Sequence, residues 1–173
     1  QRQMCIRDRI RTKCARTDLW KELPVCDRVI YAFTLSPEEI TACYEHGTPT
    51  LAARVASVKL AGKMGHPVRL CFDPMIYYPH YKEVYRRMLG EVFAQIDTDH
   101  IVDVSMGSFR ISKDYLKNMR RHDVLSPVVQ FPYENIDGVY QYPDKLRQEM
   151  EGFLHKELCK YVEEEHIFCW DQI

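Results

Sequence analysis

Apolar runs with the period of a strand alternate along the chain with segments that have the apolar period of a helix. RVIYAFTL (28–35), VRLCFDP (68–74) and HIVDVSMG (100–107) are rich in β-branched and aromatic residues and predict buried strands. RIRTK (9–13) and HIFCW (166–170) predict two further strands towards the ends of the chain. Strands that alternate with helices at this spacing predict βα units, parallel strands and an α/β fold, as part of a β/α barrel or of an open sheet.

The helical segments carry their own boundary signals. Thr48 is the expected N-cap of a helix whose first residue is Pro49. Residues 80–96 form a strongly amphipathic pattern, and a shorter helix is predicted from about Ser112 to Arg121. PVVQFPYE (127–134) predicts one more strand before a long C-terminal helix.

Composition and charge narrow the class of protein. The 173 residues suffice for one domain with a core, and 46% hydrophobic with 28% charged residues is typical of globular proteins. The formal net charge of −1 lacks the overall excess of positive charge that marks a strong nucleic-acid binder. No apolar run is long enough to span a bilayer, so we expect no membrane association.

The cysteines indicate a reducing compartment. The chain has seven of them, an odd number, and no pair has Cys-x-x-Cys spacing, which favours free thiols in a cytoplasmic protein over a disulfide framework. Cys159, His166 and Cys169 could form a three-ligand corner, but their spacing matches no standard zinc pattern. We therefore predict no metal site within this chain.

Polar residues stand where several predicted strands end. In α/β folds, ligands bind beyond the carboxyl ends of the strands. The strand-end residues are Lys13, Thr34, Asp73 and Arg110. Each of them also has a purely structural interpretation. Lys13 is then a solvated surface lysine and Thr34 an ordinary strand residue, while Asp73 is a turn residue and Arg110 forms a surface ion pair.

Other motifs add little. Tyr140 and Tyr142 follow a loop, where tyrosine either stacks on a base or simply packs. The chain has no phosphate-binding P-loop, no Gly-x-Ser-x-Gly elbow and no His-Glu-x-x-His zinc motif. Spacing by itself therefore predicts a ligand site but no reaction.

A resemblance to a known family supplies a reaction. The segments IRTKCA, YAFTLSPEEI and YEHGTPTLAARVASVKLAGKMGHPVRLCFDPMIYYPHYKEVYRRML resemble the C-terminal half of the spore photoproduct lyase family, over about residues 11–93. These are radical S-adenosylmethionine (SAM) enzymes with a partial β/α barrel. The resemblance implies a fold of that type for this chain, as the C-terminal half of the barrel.

The resemblance also implies residue roles. Lys13 matches a lysine of the family that contacts the SAM carboxylate, and Thr34 matches a serine near the same group. Asp73 falls where the chain passes the adenosine side of SAM. Glu45 and Arg54 match the loop-helix signature, where we interpret them as structural braces. Arg110, Tyr140 and Tyr142 become candidates for substrate binding.

The family reaction requires more than these residues. Its members cleave SAM reductively at a 4Fe-4S cluster, and the 5'-deoxyadenosyl radical then reverses a thymine dimer lesion in DNA. The chain lacks the Cys-x-x-x-Cys-x-x-Cys motif that holds the cluster, so any cluster belongs to a longer parent. Lesion-binding residues of the family are replaced near Glu134 and Asn135, which leaves the substrate open.

Three interpretations follow. The first is a truncated fragment of a spore photoproduct lyase-like carbon-carbon lyase for DNA repair, inactive alone. The second is a radical SAM family member with a different substrate, and the third is a non-catalytic β/α module that binds a nucleotide. We expect residues 1–9 to be a non-native leader and residues 10–173 to be the C-terminal part of the barrel domain.

Overall fold

The structure is a computed structural model and describes residues 8–169. The strands are β1 (Asp8–Thr12), β2 (Val29–Thr34), β3 (Val68–Met75), β4 (Ile101–Ser108), β5 (Arg110–Ser112), β6 (Glu134–Ile136), β7 (Val139–Gln141) and β8 (Ile167–Cys169). The α-helices are α1 (Leu19–Glu22), α2 (Glu38–Tyr44), α3 (Leu51–Lys63), α4 (Tyr81–Phe93), α5 (Lys113–His122) and α6 (Asp144–Leu158).

Two sheets organise these elements. Five parallel strands form the main sheet in the order β1-β2-β3-β4-β8. β5, β7 and β6 form a small antiparallel sheet, and β5 begins two residues after β4 ends. The alternation of parallel strands with helices confirms the predicted α/β class and the half-barrel architecture. The expected leader cannot be assigned: residues 1–7 lie outside the described residues, and Asp8 and Arg9 belong to β1.

The register of the main sheet separates an apolar face from a polar face. Leu70 of β3 lies between Phe33 of β2 and Val104 of β4, and these side chains belong to the core beneath the helices. On the other face, Cys71 lies between Thr34 and Ser105. Successive side chains of a strand point to opposite faces, so each of these strands contributes to both.

Helices cover the apolar face. Leu89 of α4 and Leu154 of α6 are fully buried in the same core as the apolar strand residues. Trp20 of α1 is also buried, and its indole N–H donates a hydrogen bond of 2.6 Å to Ser57 Oγ on α3. Within residues 8–169, no helix is both long and apolar enough to cross a membrane.

Two local predictions are wrong. Residues 127–133 form turns and irregular backbone rather than a strand. The side chains of Val128, Val129 and Tyr133 are buried, although none of these residues pairs with a strand. The N-cap of α3 is Thr50, whose hydroxyl oxygen accepts a hydrogen bond from the Ala53 N–H. Thr48 instead uses its side chain within the polar cluster described below, because a buried arginine competes for its oxygen.

A hairpin joins the central strand of the small sheet to one of its outer strands. β6 and β7 are connected by Asp137 and Gly138, which both have positive φ, 50° and 85°. Such a pair is typical of a two-residue type I′ turn, whose twist matches that of the flanking strands. The Asp-Gly dipeptide is the sequence signal for this hairpin, and the apolar pattern alone does not reveal it.

Candidate functional site

The first part of the site is built around Asp73 at the carboxyl end of β3. Asp73 is buried, and its carboxylate accepts a hydrogen bond of 2.7 Å from the Ser105 hydroxyl. The Arg11 guanidinium forms an ion pair with the same carboxylate and donates a hydrogen bond of 3.1 Å to Thr34 Oγ1. Four neighbouring parallel strands therefore each contribute one side chain to a single polar network.

The second part is built around Glu45, directly after α2. Glu45 Oε1 accepts hydrogen bonds from Lys13 Nζ and from Ser36 Oγ, both at 2.7 Å. Glu45 Oε2 pairs with Arg54 Nη2 at 2.8 Å. Burial by itself would raise the pKa of Glu45, but the hydrogen bonds from Lys13, Ser36 and Arg54 outweigh it, and the pKa lies below its ordinary value. Glu45 is therefore held as a carboxylate.

Arg54 holds the loop that leads into α3. Its side chain is completely buried, yet every part of the guanidinium has an acceptor. Nε donates to the Pro49 carbonyl at 2.8 Å, and Nη2 also donates to Thr48 Oγ1 at 2.7 Å. A buried charge is tolerated only when it is paired and hydrogen-bonded, and Arg54 meets both conditions.

Thr34 connects the two parts. Its hydroxyl oxygen accepts a hydrogen bond from Arg11, and its carbonyl oxygen accepts one of 3.3 Å from Arg54 Nη1. We call the joined network the carboxyl-edge cluster; it comprises Arg11, Lys13, Thr34, Ser36, Glu45, Thr48, Arg54, Asp73 and Ser105.

The cluster has a graded exposure that suits ligand binding. The side chains of Lys13 and Arg11 are 35% and 44% exposed, whereas those of Glu45 and Asp73 are 11% and 6% exposed. Cationic donors thus face solvent, while the carboxylates that orient them lie behind. Such an edge can bind a carboxylate or another anionic group through charge-assisted hydrogen bonds.

The predicted cofactor residues meet at this edge, although each already has a protein partner. Lys13 is paired with Glu45, Thr34 with Arg11, and Asp73 with Arg11 and Ser105. Sequence reasoning missed Arg11, Ser36 and Ser105 as members of the cluster. Basic residues alternate along β1, and residues two apart share one face of a strand. This alternation is the sequence signal that could have identified Arg11 as a member of the cluster.

The predicted substrate residues do not form one surface. Arg110 is exposed on β5 and lies opposite Gln141, whereas Tyr140 lies opposite Ile111. Because residues 110 and 111 point to opposite faces, the side chains of Arg110 and Tyr140 occupy different faces of the small sheet. A single flat ligand on this sheet contacts one of them.

Tyr142 belongs to an aromatic core. It is 1% exposed, its ring centroid lies 4.8 Å from that of Phe131 and 5.2 Å from that of Tyr133, and its hydroxyl accepts a hydrogen bond of 2.9 Å from the Tyr77 N–H. Burial raises the pKa of Tyr142, so its hydroxyl stays protonated. Tyr142 therefore packs in the core, as the packing alternative predicts.

Thiols do not assemble into a metal site in the part of the chain that is described. Between residues 8 and 169, no group of three or more histidine, cysteine or acidic side chains is arranged to hold a metal ion. Cys71 lies on the polar face of β3, where burial raises the pKa of its thiol. A buried, protonated thiol is a poor metal ligand and a poor nucleophile.

The fold is a half-barrel of the β/α class, and its polar carboxyl edge lies where ligands usually bind in proteins of this class. No family model and no curated protein sequence matches the chain. Its fold does match solved structures of spore photoproduct lyase, which are 15% identical to it.

Three of those structures illustrate the match. Spore photoproduct lyase complexed with dinucleoside spore photoproduct has a TM-score of 0.77, covering 94% of this chain and 50% of that chain. A double mutant with bound AdoMet and the same dinucleoside has a TM-score of 0.77, and a single mutant reaches 0.79. The chain thus has the fold of one half of spore photoproduct lyase and spans about half the length of the structures that it matches.

Proposed function

We propose that this chain is the C-terminal half of the catalytic barrel of a radical SAM enzyme that repairs a photolesion in DNA. The observation that carries the proposal is the carboxyl-edge cluster, in which Lys13, Thr34 and Asp73 from three different parts of the chain converge at the strand ends. The match in fold to a lyase solved with AdoMet and a dinucleoside photoproduct supports the choice of ligand.

The donor set of the cluster fits the amino-acid end of SAM. That end carries a carboxylate and an ammonium group, and the cluster offers exposed cations beside two carboxylates that are paired with them. Lys13 would bind the SAM carboxylate and Thr34 would lie beside that group, while Asp73 would lie on the adenosine side. Glu45 and Arg54 would act as braces, since they hold the loop and Lys13 in place.

The described residues do not fit a 4Fe-4S cluster, because they present no group of thiolates that could hold one. In the proposed parent enzyme, the cluster and SAM supply the radical chemistry. This chain's own contribution is to bind and orient SAM and the lesion.

For the substrate we propose contact through the small sheet. Arg110 is exposed close to the end of β4 and could pair with an anionic group of the lesion. Tyr140 would contact the substrate from the other face of the sheet, whereas Tyr142 would act indirectly, by holding the backbone at Tyr77.

The decisive experiment uses the parent protein that carries the preceding part of the barrel. After anaerobic reconstitution with iron and sulfide, it should convert SAM to 5'-deoxyadenosine when a reductant is added. Formation of 5'-deoxyadenosine without repair of a dinucleoside photoproduct would assign the chain to a radical SAM enzyme with another substrate. Binding of SAM without any cleavage would instead indicate a nucleotide-binding module.

A further inference from the structure

Helix α5 concentrates positive charge that the chain as a whole does not have. It carries four lysine or arginine residues and one acidic residue, Asp114, in a protein whose net charge is −1. Lys113, Lys117 and Arg121 are spaced by four residues and therefore lie along one side of the helix, about 6 Å apart along its axis. All three are exposed, and residues 8–169 provide no ion pair for any of them.

This row of cations borders a groove rather than an open convex surface. The groove lies between α5 and the small sheet and is lined by Lys113, Leu116, Lys117, Arg120, Arg121 and Tyr140. Leu116 is buried and Tyr140 is half-buried, so the groove has an apolar and aromatic floor beneath a charged rim. Arg120 is turned inwards, where it donates a hydrogen bond of 3.0 Å to the Val129 carbonyl and fixes the adjoining loop.

We propose that this groove, which we call the α5 groove, binds the sugar-phosphate backbone of a nucleic-acid strand. Cations repeated at regular intervals suit a polymer with regularly repeated charges better than a single small anion. The half-buried Tyr140 ring provides a surface on which a base or sugar can pack, a feature that an acidic peptide does not require.

The place of the groove in the fold agrees with this ligand. β5 starts two residues after β4, and α5 follows β5 directly, so the groove adjoins the carboxyl end of the main sheet. A strand held in the groove would therefore lie close to the carboxyl end of β4. The inference deepens the proposed function, on which it rests for its biological role, because it assigns contacts to the DNA that flanks a lesion.

The test requires neither SAM nor a lesion. The 173-residue chain is titrated into a fluorescein-labelled, undamaged oligonucleotide of about 12 nucleotides, as a single strand and as a duplex, between about 50 and 200 mM salt. The variant Lys113→Gln/Lys117→Gln/Arg121→Gln, which we call the rim variant, removes the three positive charges along the rim of the groove. The control Lys21→Gln/Lys59→Gln/Lys63→Gln removes the same charge from exposed positions on α1 and α3. Circular dichroism verifies that both variants are folded.

The rim variant should bind at least about tenfold more weakly at intermediate salt, and the slope of log K against log salt should become shallower by roughly 2 for the single strand. The control should bind like the unmodified chain. Comparison of the two DNA forms identifies which of them the groove accepts.

Three results would overturn the proposal: no binding by the unmodified chain, equal weakening by both variants, or equally effective competition by a poly-glutamate peptide. None of them bears on SAM cleavage by the parent, so failure here and failure of the proposed function are distinguishable.

Discussion

Arg54 donates a hydrogen bond from Nη1 to the backbone carbonyl of Thr34, and this contact joins a buried arginine of α3 to the carboxyl end of β2. The same arginine pairs with Glu45, while the Thr34 side chain accepts a hydrogen bond from Arg11. The loop before α3, the end of β2 and the end of β1 are thus positioned by one continuous network. Changes in its centre should affect both stability and ligand binding.

Arg54→Ala should destabilise the chain by about 3–5 kcal/mol, because it leaves buried acceptors and one carboxylate without their partner. Urea unfolding followed by circular dichroism measures this change. Arg87→Ala is the matched control, since Arg87 forms an exposed ion pair with Glu39 and should contribute no more than about 1 kcal/mol. Equal losses in the two variants would contradict the assignment of Arg54 as the brace.

Thr34→Val should cost about 1 kcal/mol, because it keeps the shape of a buried side chain but removes the acceptor for Arg11. Thr34→Ser retains the hydroxyl and should preserve the hydrogen bond. If SAM binding depends on the orientation of Arg11, affinity should fall in the valine variant and persist in the serine variant. Isothermal titration with SAM separates the two, and equal affinity in both would remove Thr34 from the site.

The stability of the chain should fall in acid partly through Glu45. Its pKa is lower in the folded state than in the unfolded state, so its contribution is complete above the ordinary glutamate pKa and is lost as pH falls through the folded pKa. Glu45→Gln should be less stable at neutral pH but should lose less stability on acidification. Unfolding free energies measured from about pH 7 to pH 3 test this. Glu91→Gln, at an exposed position on α4, should follow the unmodified curve, and an identical acid slope in Glu45→Gln would exclude the effect.

Lys13→Ala should weaken SAM binding by about 1.5–3 kcal/mol, the range for a lost charge-assisted hydrogen bond. Lys13→Arg should retain part of the affinity because the positive charge remains. Lys21→Ala removes an exposed lysine of α1 and should leave the affinity unchanged. Isothermal titration of each variant gives the comparison, and a Lys13→Ala variant with full affinity would place the SAM carboxylate elsewhere.

Local patterns were sufficient for the main elements. Alternating apolar runs and helical periods correctly predicted β2, β3, β4, α4 and α5, because burial on one face of a regular element leaves a direct trace in the order of residues. The prediction failed at residues 127–133, where apolar residues are buried by turns and by packing against aromatic side chains. Apolar residues that are buried in turns resemble strand residues in composition, but they do not follow the period of a strand or a helix.

The sequence by itself determined the parallel α/β sheet and the presence of polar residues at its strand ends, since both follow from short-range patterns. Only the tertiary structure decided which of these residues meet. The pairing of Arg11 with Asp73 spans 62 positions and that of Lys13 with Glu45 depends on where the loop before α3 folds back. The tertiary structure also places Arg110 and Tyr140 on different faces of the small sheet. The face on which each side chain lies depends on strand pairing, which the sequence of a single strand does not encode.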